Sequence, residues 1–221
     1  MPSQRRLTLP LVATALLLCQ PLLAFDTPLS PEAVRDAYFL GQRHEQDFTD
    51  LMAKYTQVLP APDSGPDISS ITFLTPFALV AELSSQRTMN YSAQQAEQDH
   101  SNQQEIVRII IQIQLTETYG ALISRPTGSR SGSPIGYAQR PSDFWKDFQV
   151  QVLDKEKVLT PSGFLGQPIY GGDGNGGSIL IGAMLQLDFP AEAFKSDSPN
   201  IQVTPPEGDP ISVDFDLSAL R

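Results

Sequence analysis

Ile109-Ile110-Ile111-Gln112-Ile113-Gln114-Leu115-Thr116 is the stretch that decides the fold. Ile109, Ile111, Ile113 and Leu115 fall on one phase, and Ile110, Gln112, Gln114 and Thr116 on the other. A period of two is that of a strand with one face in a core and the other toward water or a second layer. The same alternation returns at Phe148, Val150 and Val152, and again at Ile179, Ile181, Ala183, Leu185, Leu187 and Phe189. A last set, Ile211, Val213, Phe215 and Leu217, closes the chain. With weaker strands at Ile68–Leu74, Lys157–Thr160 and Ile201–Thr204 and Gly/Pro turns between them, the pattern predicts an antiparallel β-sandwich.

Upstream of Glu105 the period is mostly helical. Ser30-Pro31-Glu32 is a helix start, because Ser30 can cap and Pro31 has no N–H to leave unpaired in a first turn. Val34, Ala37 and Tyr38 give that helix its apolar side, and Gly41 is expected to loosen or end it. Phe48, Leu51, Met52 and Tyr55 continue at helical spacing until Pro60 and Pro62. Thr75-Pro76 starts a helix bearing Phe77, Leu79, Val80 and Leu83 on one side. Ser92 with Gln95 forms a capping box for another, which runs to about His100. The fold class expected is α+β: N-terminal helices followed by a C-terminal antiparallel β-sandwich. The division is 1–24 as a signal peptide, 25–104 as a mainly helical part packed on the same core, and 105–221 as the sandwich.

The first 24 residues give the address. Arg5 and Arg6 precede an apolar run from Leu7 to Leu23, and Ala24 supplies a small residue for a signal peptidase. The competing reading is an uncleaved anchor, but Pro10, Gln20 and Pro21 leave the run barely the roughly 20 residues that a bilayer needs. Leu18 before Cys19 departs from a lipoprotein signal. Removing 24 residues of 221 leaves a mature chain of 197, which has lost its only cysteine and whose net charge has moved from −10 to −12. Disulfides and thiolate or Cys-zinc chemistry are thereby excluded, and a nucleic-acid partner is disfavoured by like charge. A chain of this length buries about 70% of its unfolded surface and needs no covalent staple.

Glu32-Ala33-Val34-Arg35-Asp36-Ala37-Tyr38-Phe39-Leu40-Gly41-Gln42-Arg43, Tyr91-Ser92-Ala93-Gln94-Gln95-Ala96-Glu97 and Val213-Asp214-Phe215-Asp216-Leu217 resemble an uncharacterised family of exported bacterial proteins. The resemblance implies an exported address and one compact domain, and it carries no activity, cofactor or catalytic residue.

Chemical motifs are sparse. His44 and His100 lack the helical zinc-protease spacing and read as surface residues on polar helix faces or ends. No nucleophile elbow and no phosphate-cradling loop occurs. Asp173 and Asn175, within Tyr170–Gly177, offer oxygens two residues apart. The third ligand and distal glutamate of a calcium loop are missing, so a glycine hairpin tip accounts for them. Asp154/Glu156 and Asp214/Asp216 have the spacing of turn and strand-face acids. No catalytic residue, metal or cofactor is expected.

Tyr119–Ser142 is the anomaly, with Arg125, Arg130 and Arg140, no acid, and Tyr137, Phe144 and Trp145 in or just after it. Arginines among aromatics suit an anionic or sugar-like ligand or a protein partner, whereas a solvated linker is the plain alternative. Counting strand directions in a simple meander puts this segment, the glycine loop 163–177 and the acidic tip 205–210 at one end of the sandwich. The candidate ligand contacts are therefore Arg125, Arg130, Tyr137, Arg140 and Asp173. The function expected is an exported non-enzymatic binding or interaction module, periplasmic or extracellular, with an unidentified protein or glycan partner. An exported polysaccharide hydrolase and a structural envelope component are the alternatives.

Overall fold

The computed structural model describes residues 25–43, 46–87, 90–126, 135–172, 174 and 176–221. The expected signal peptide, Cys19, His44, Arg130 and Asp173 lie outside these residues, as does the side chain of Arg125. Among the described residues the chain is α+β, with its helices N-terminal and antiparallel sheets carrying the C-terminal part.

The helices are α1 (Pro31–Gln42), α2 (Gln46–Lys54), α3 (Pro76–Gln86) and α4 (Ala93–Ser101). Three are capped as their sequences demand. The Ser30, Thr75 and Ser92 hydroxyls accept from the N–H groups of Ala33, Ala78 and Gln95 at 3.2, 3.3 and 3.2 Å. Each bond satisfies a donor that the first helical turn leaves open. No helix of the described residues is long and apolar enough to cross a membrane.

The strands are β1 (Thr56–Val58), β2 (Asp67–Leu74), β3 (Ile106–Gln114), β4 (Leu122–Pro126), β5 (Ile135–Gln139), β6 (Gln149–Asp154), β7 (Lys157–Leu159), β8 (Gly163–Gly172), β9 (Ser178–Pro190), β10 (Asn200–Thr204) and β11 (Ile211–Asp214). A five-stranded sheet runs β1-β2-β3-β9-β8 and a four-stranded one β11-β10-β6-β7, while β4 and β5 form a separate hairpin. Every pairing is antiparallel. Two strands of the larger sheet, β1 and β2, come from the part of the chain before residue 105.

The two sheets share one core, as their alternation requires. Ile109, Ile111, Ala183, Leu185, Phe73 and Ile71 of the larger sheet are buried in one cluster with Val152, Ile201, Val203 and Val213 of the smaller. Phe194 closes its lower end, edge-on to Phe73 at 5.2 Å and to Phe189 at 5.9 Å. Edge-to-face geometry adds to the burial of such rings. Leu29, Val34, Ala37, Phe77, Ala81 and Ala96 make a second, helical core. The outer phase of β3 and β9, which includes Ile106, Arg108, Ile110, Met184 and Gln186, is half-buried rather than bare, because α3 and α4 lie over it.

Gly41 is the penultimate residue of α1 and is buried there: an added Cβ would stand 2.1 Å from the Ala81 carbonyl oxygen. It is the point at which α1 and α3 touch backbone to backbone. Four local expectations are corrected. Ile179 and Ile181 do not share the inward face of Ala183, Leu185, Leu187 and Phe189: both are exposed, because the alternation of β9 changes phase at Gly182. Residues 56–58, inside the apparent tail of the second helix, are a strand held by β2. Gly163–Gly172 is a ten-residue edge strand rather than a loop, and β4 and β5 structure the arginine-bearing segment. Strand β11 ends at Asp214, so Asp216 does not share its face: it caps a short 3-10 turn instead, accepting from the Ser218 N–H at 3.1 Å.

Candidate functional site

Of the described sequence-derived contacts, Arg140 sits near the end of β3. Beyond Gln114, Leu115 N–H donates to the Ile181 carbonyl of the β8–β9 hairpin at 2.9 Å. The Thr118 hydroxyl accepts from Gly65 N–H at 2.9 Å, and Gly65 in turn lies against Glu207 of the 205–210 tip. The turn after β3, the Gly172–Ser178 end of the β8–β9 hairpin and the acidic tip therefore share one end of the sandwich. Arg140 lies there, but it is occupied. Its guanidinium stacks 3.5 Å over the Tyr119 ring, and its Nε donates to the Gly120 carbonyl at 2.8 Å. Those bonds pin the β4–β5 hairpin to the body. Tyr137 on β5 is 75% exposed, and Arg125 pairs through its backbone with Gly136. Asp154, weighed as half of an acid pair, is buried and accepts from the N–H groups of Lys195 and Ser196 at 3.1 and 2.9 Å. It fixes the 194–196 segment.

The concave surface lies on the opposite side of the molecule's larger sheet. A cleft of about 590 Å³ has the outer phase of β3 and β9 as its floor, α3 as one wall, and α4 with residues 103–105 as the other. Leu79, Leu83, Ile110 and Met184 supply its apolar surface. Charged and polar side chains, among them Glu82, Gln103, Arg108 and Gln186, line it in about equal measure, and its volume is in the range of small-molecule sites.

Two ion pairs and a histidine–carboxylate hydrogen bond frame it. Arg108 forks onto Asp188, with Nε at 2.8 Å and Nη2 at 3.0 Å from the two carboxylate oxygens. The register Arg108↔Asp188 sets the two side by side on adjacent strands. Arg87 meets Asp99 at 3.0 Å. His100 Nε2 lies 2.8 Å from Glu105, with both side chains less than a fifth exposed. His100 is thus no surface histidine: α4 carries it inward over the start of β3.

Glu105 is a hub. Its carboxylate also accepts from Leu29 N–H at 2.6 Å and from the Thr27 hydroxyl, so it ties the segment before α1 to the start of β3. Burial acts to raise its pKa, yet the hydrogen bonds from His100, Thr27 and Leu29 outweigh burial and hold the carboxyl below its ordinary range. Behind this partition lies a second cleft of about 520 Å³, lined by Leu29, Val34, Ala191 and Lys195 among others.

Glu82 stands apart from these pairs. It is the only charged residue of α3 and lines the first cleft half-buried. Its carboxylate makes no hydrogen bond or ion pair among the described residues. Burial pushes its pKa up, and the nearby Arg108 only partly offsets this. Perturbed acids in clefts mark functional sites more often than chance. A lone acid in a helix that is otherwise apolar nearly all round was the sequence signal for it.

Among the described residues, no group of three or more His, Cys, Asp or Glu is arranged to hold a metal ion. Comparison with protein-family models, curated proteins and solved structures finds no match.

Proposed function

We propose that this chain is an exported, non-enzymatic binding module that takes a small amphipathic ligand in the cleft between α3, α4 and the outer face of the larger sheet. The observation that carries the reading is the cleft itself: a floor of mixed apolar and polar side chains framed by ion pairs, with one carboxylate left over. Within it the His100 side chain is hydrogen-bonded to the Glu105 carboxylate, which Thr27 and Leu29 already hold, an arrangement that fixes a loop rather than activates a hydroxyl. Export rests on the N-terminal 24 residues. Phe25, which follows the expected cleavage point, is buried in the main core. Mass spectrometry of the protein recovered from the cell exterior or periplasm tests this, with an N-terminus at Phe25 expected and retention of residues 1–24 the contrary result.

The hydrolase alternative draws on the same carboxylate, because an acid raised by burial suits general-acid catalysis. Turnover assays on peptidoglycan and soluble polysaccharides separate the two. The module predicts no rate above background. A robust rate abolished by Glu82→Gln makes the protein an enzyme.

A further inference from the structure

We infer that the ligand of the α3–α4 cleft is a small aliphatic amine, its ammonium group seated at Glu82 and its apolar stem lying along Leu79, Leu83, Ile110 and Met184. The inference rests on the cleft being the binding site and adds the ligand's chemistry. Charge bookkeeping leads to it. The basic side chains that frame the cleft, Arg87, Arg108 and His100, each have a carboxylate in place, at 3.0, 2.8 and 2.8 Å. An anionic ligand would have to break one of these pairs and leave its carboxylate uncompensated in a half-buried setting, which is costly. A cationic ligand breaks none of these pairs, because among the described residues the Glu82 carboxylate makes no ion pair or hydrogen bond.

Geometry supports the same class. Glu82 is flanked on its own helix by Leu79 and Leu83, with Ile110 and Met184 on the sheet below. Polar and apolar contacts are thus adjacent, as an ammonium on a short hydrocarbon stem requires. Burial that raises the Glu82 carboxyl is relieved when a cation arrives, so part of the binding free energy comes from removing an unfavourable state of the empty protein. A guanidinium or quaternary head would be bulkier. The compact ammonium, with three donors, matches a single carboxylate.

The test uses the purified protein labelled with ¹⁵N and four probes: hexylamine, hexanol, hexanoate and a capped Gly-Lys-Gly peptide. Hexylamine should shift the backbone amides of residues 79–86 and 108–112. Glu82→Gln should weaken it at least tenfold, Glu82→Asp should weaken it less, and the remote Asp209→Asn should leave it unchanged. Peptide binding as tight as that of hexylamine would make the ligand a protein lysine and overturn the small-molecule assignment. Hexanol or hexanoate binding the cleft as well as hexylamine, or an unchanged affinity in Glu82→Gln, overturns the amine while leaving the cleft as the site. If no probe moves the cleft amides, the cleft reading falls with it.

Discussion

Gly41→Ala sets two effects of opposite sign against each other, and the structure says which wins. In a helix interior, Ala is favoured over Gly by roughly 0.5–1 kcal/mol, because Gly gives up more backbone freedom on folding. That argument alone makes the substitution stabilising. At this position the new Cβ would lie 2.1 Å from the Ala81 carbonyl oxygen, 2.9 Å from Ser84 Cβ and 3.0 Å from the Ala81 carbonyl carbon. Carbon–oxygen contacts are ordinarily no closer than about 3.3 Å. Helix α1 must therefore retreat from α3 by roughly 1 Å, and the obstacle is backbone that cannot swing aside. Overpacking of this kind costs about 1–3 kcal/mol, and the retreat loosens Ala37 and Val34 against Phe77 and Ala81 in the same small core. The net expectation is a loss of about 1–2 kcal/mol after the propensity gain. Urea unfolding followed by far-UV circular dichroism measures it, with Gly172→Ala as the control, since a Cβ there meets nothing within 4 Å. A Gly41→Ala protein as stable as the parent, or more so, would refute the backbone contact between α1 and α3.

Other outcomes follow from the charged groups. The Glu105 carboxyl sits below its ordinary value near 4.5 in the folded protein, so it contributes stability above that pH that is lost as pH falls through the folded value. Glu105→Gln should be less stable near neutrality by about 1.5–3 kcal/mol, the worth of hydrogen bonds to a charged group, and its difference from the parent should shrink in urea titrations below pH 4. Glu82 has the reverse sign: its raised carboxyl disfavours the folded state above the ordinary carboxylate pKa. Glu82→Gln should therefore raise the urea midpoint at neutral pH and lose that advantage in acid, and an unchanged midpoint would mean that the side chain is solvated. Arg140→Ala removes the Tyr119 stack and the Gly120 hydrogen bond. Amide exchange in residues 115–122 should quicken several-fold, while exchange in α3 is unaffected.

Much of the fold was legible because it is written locally. The cap residues Ser30, Thr75 and Ser92 stand where helices begin, β3 alternates over its full length, and β9 does so from Ala183 onward. The strands that escaped notice are the ones that partners impose. Thr56–Val58 follows a helical run and becomes a strand only by lying beside β2. Gly163–Gly172 has four glycines and a proline, a composition that favours turns, yet β9 pairs with all ten residues, the register shifting once between Ile169 and Tyr170. The cleft was hidden for the same reason. Glu82, Asp99, His100, Glu105 and Arg108 come from two helices, a connection and a strand, and only tertiary packing brings them to one cleft. A trace was present in β3, where Ile106 and Ile110 occupy the phase that Gln112 and Gln114 mark as polar. Apolar residues on that phase announce a covering layer, here α3 and α4.

The account's central claim is that recognition belongs to the α3–α4 cleft and not to the loop end of the sandwich around Tyr137 and Arg140. Soaking crystals of the protein with a diverse set of small fragments tests it most directly, because every accessible site is sampled at once. The account predicts fragment density against Leu79, Ile110 and Met184, with amine-bearing fragments placing nitrogen beside Glu82. Fragments gathered at the loop end, with the cleft left empty, would contradict it.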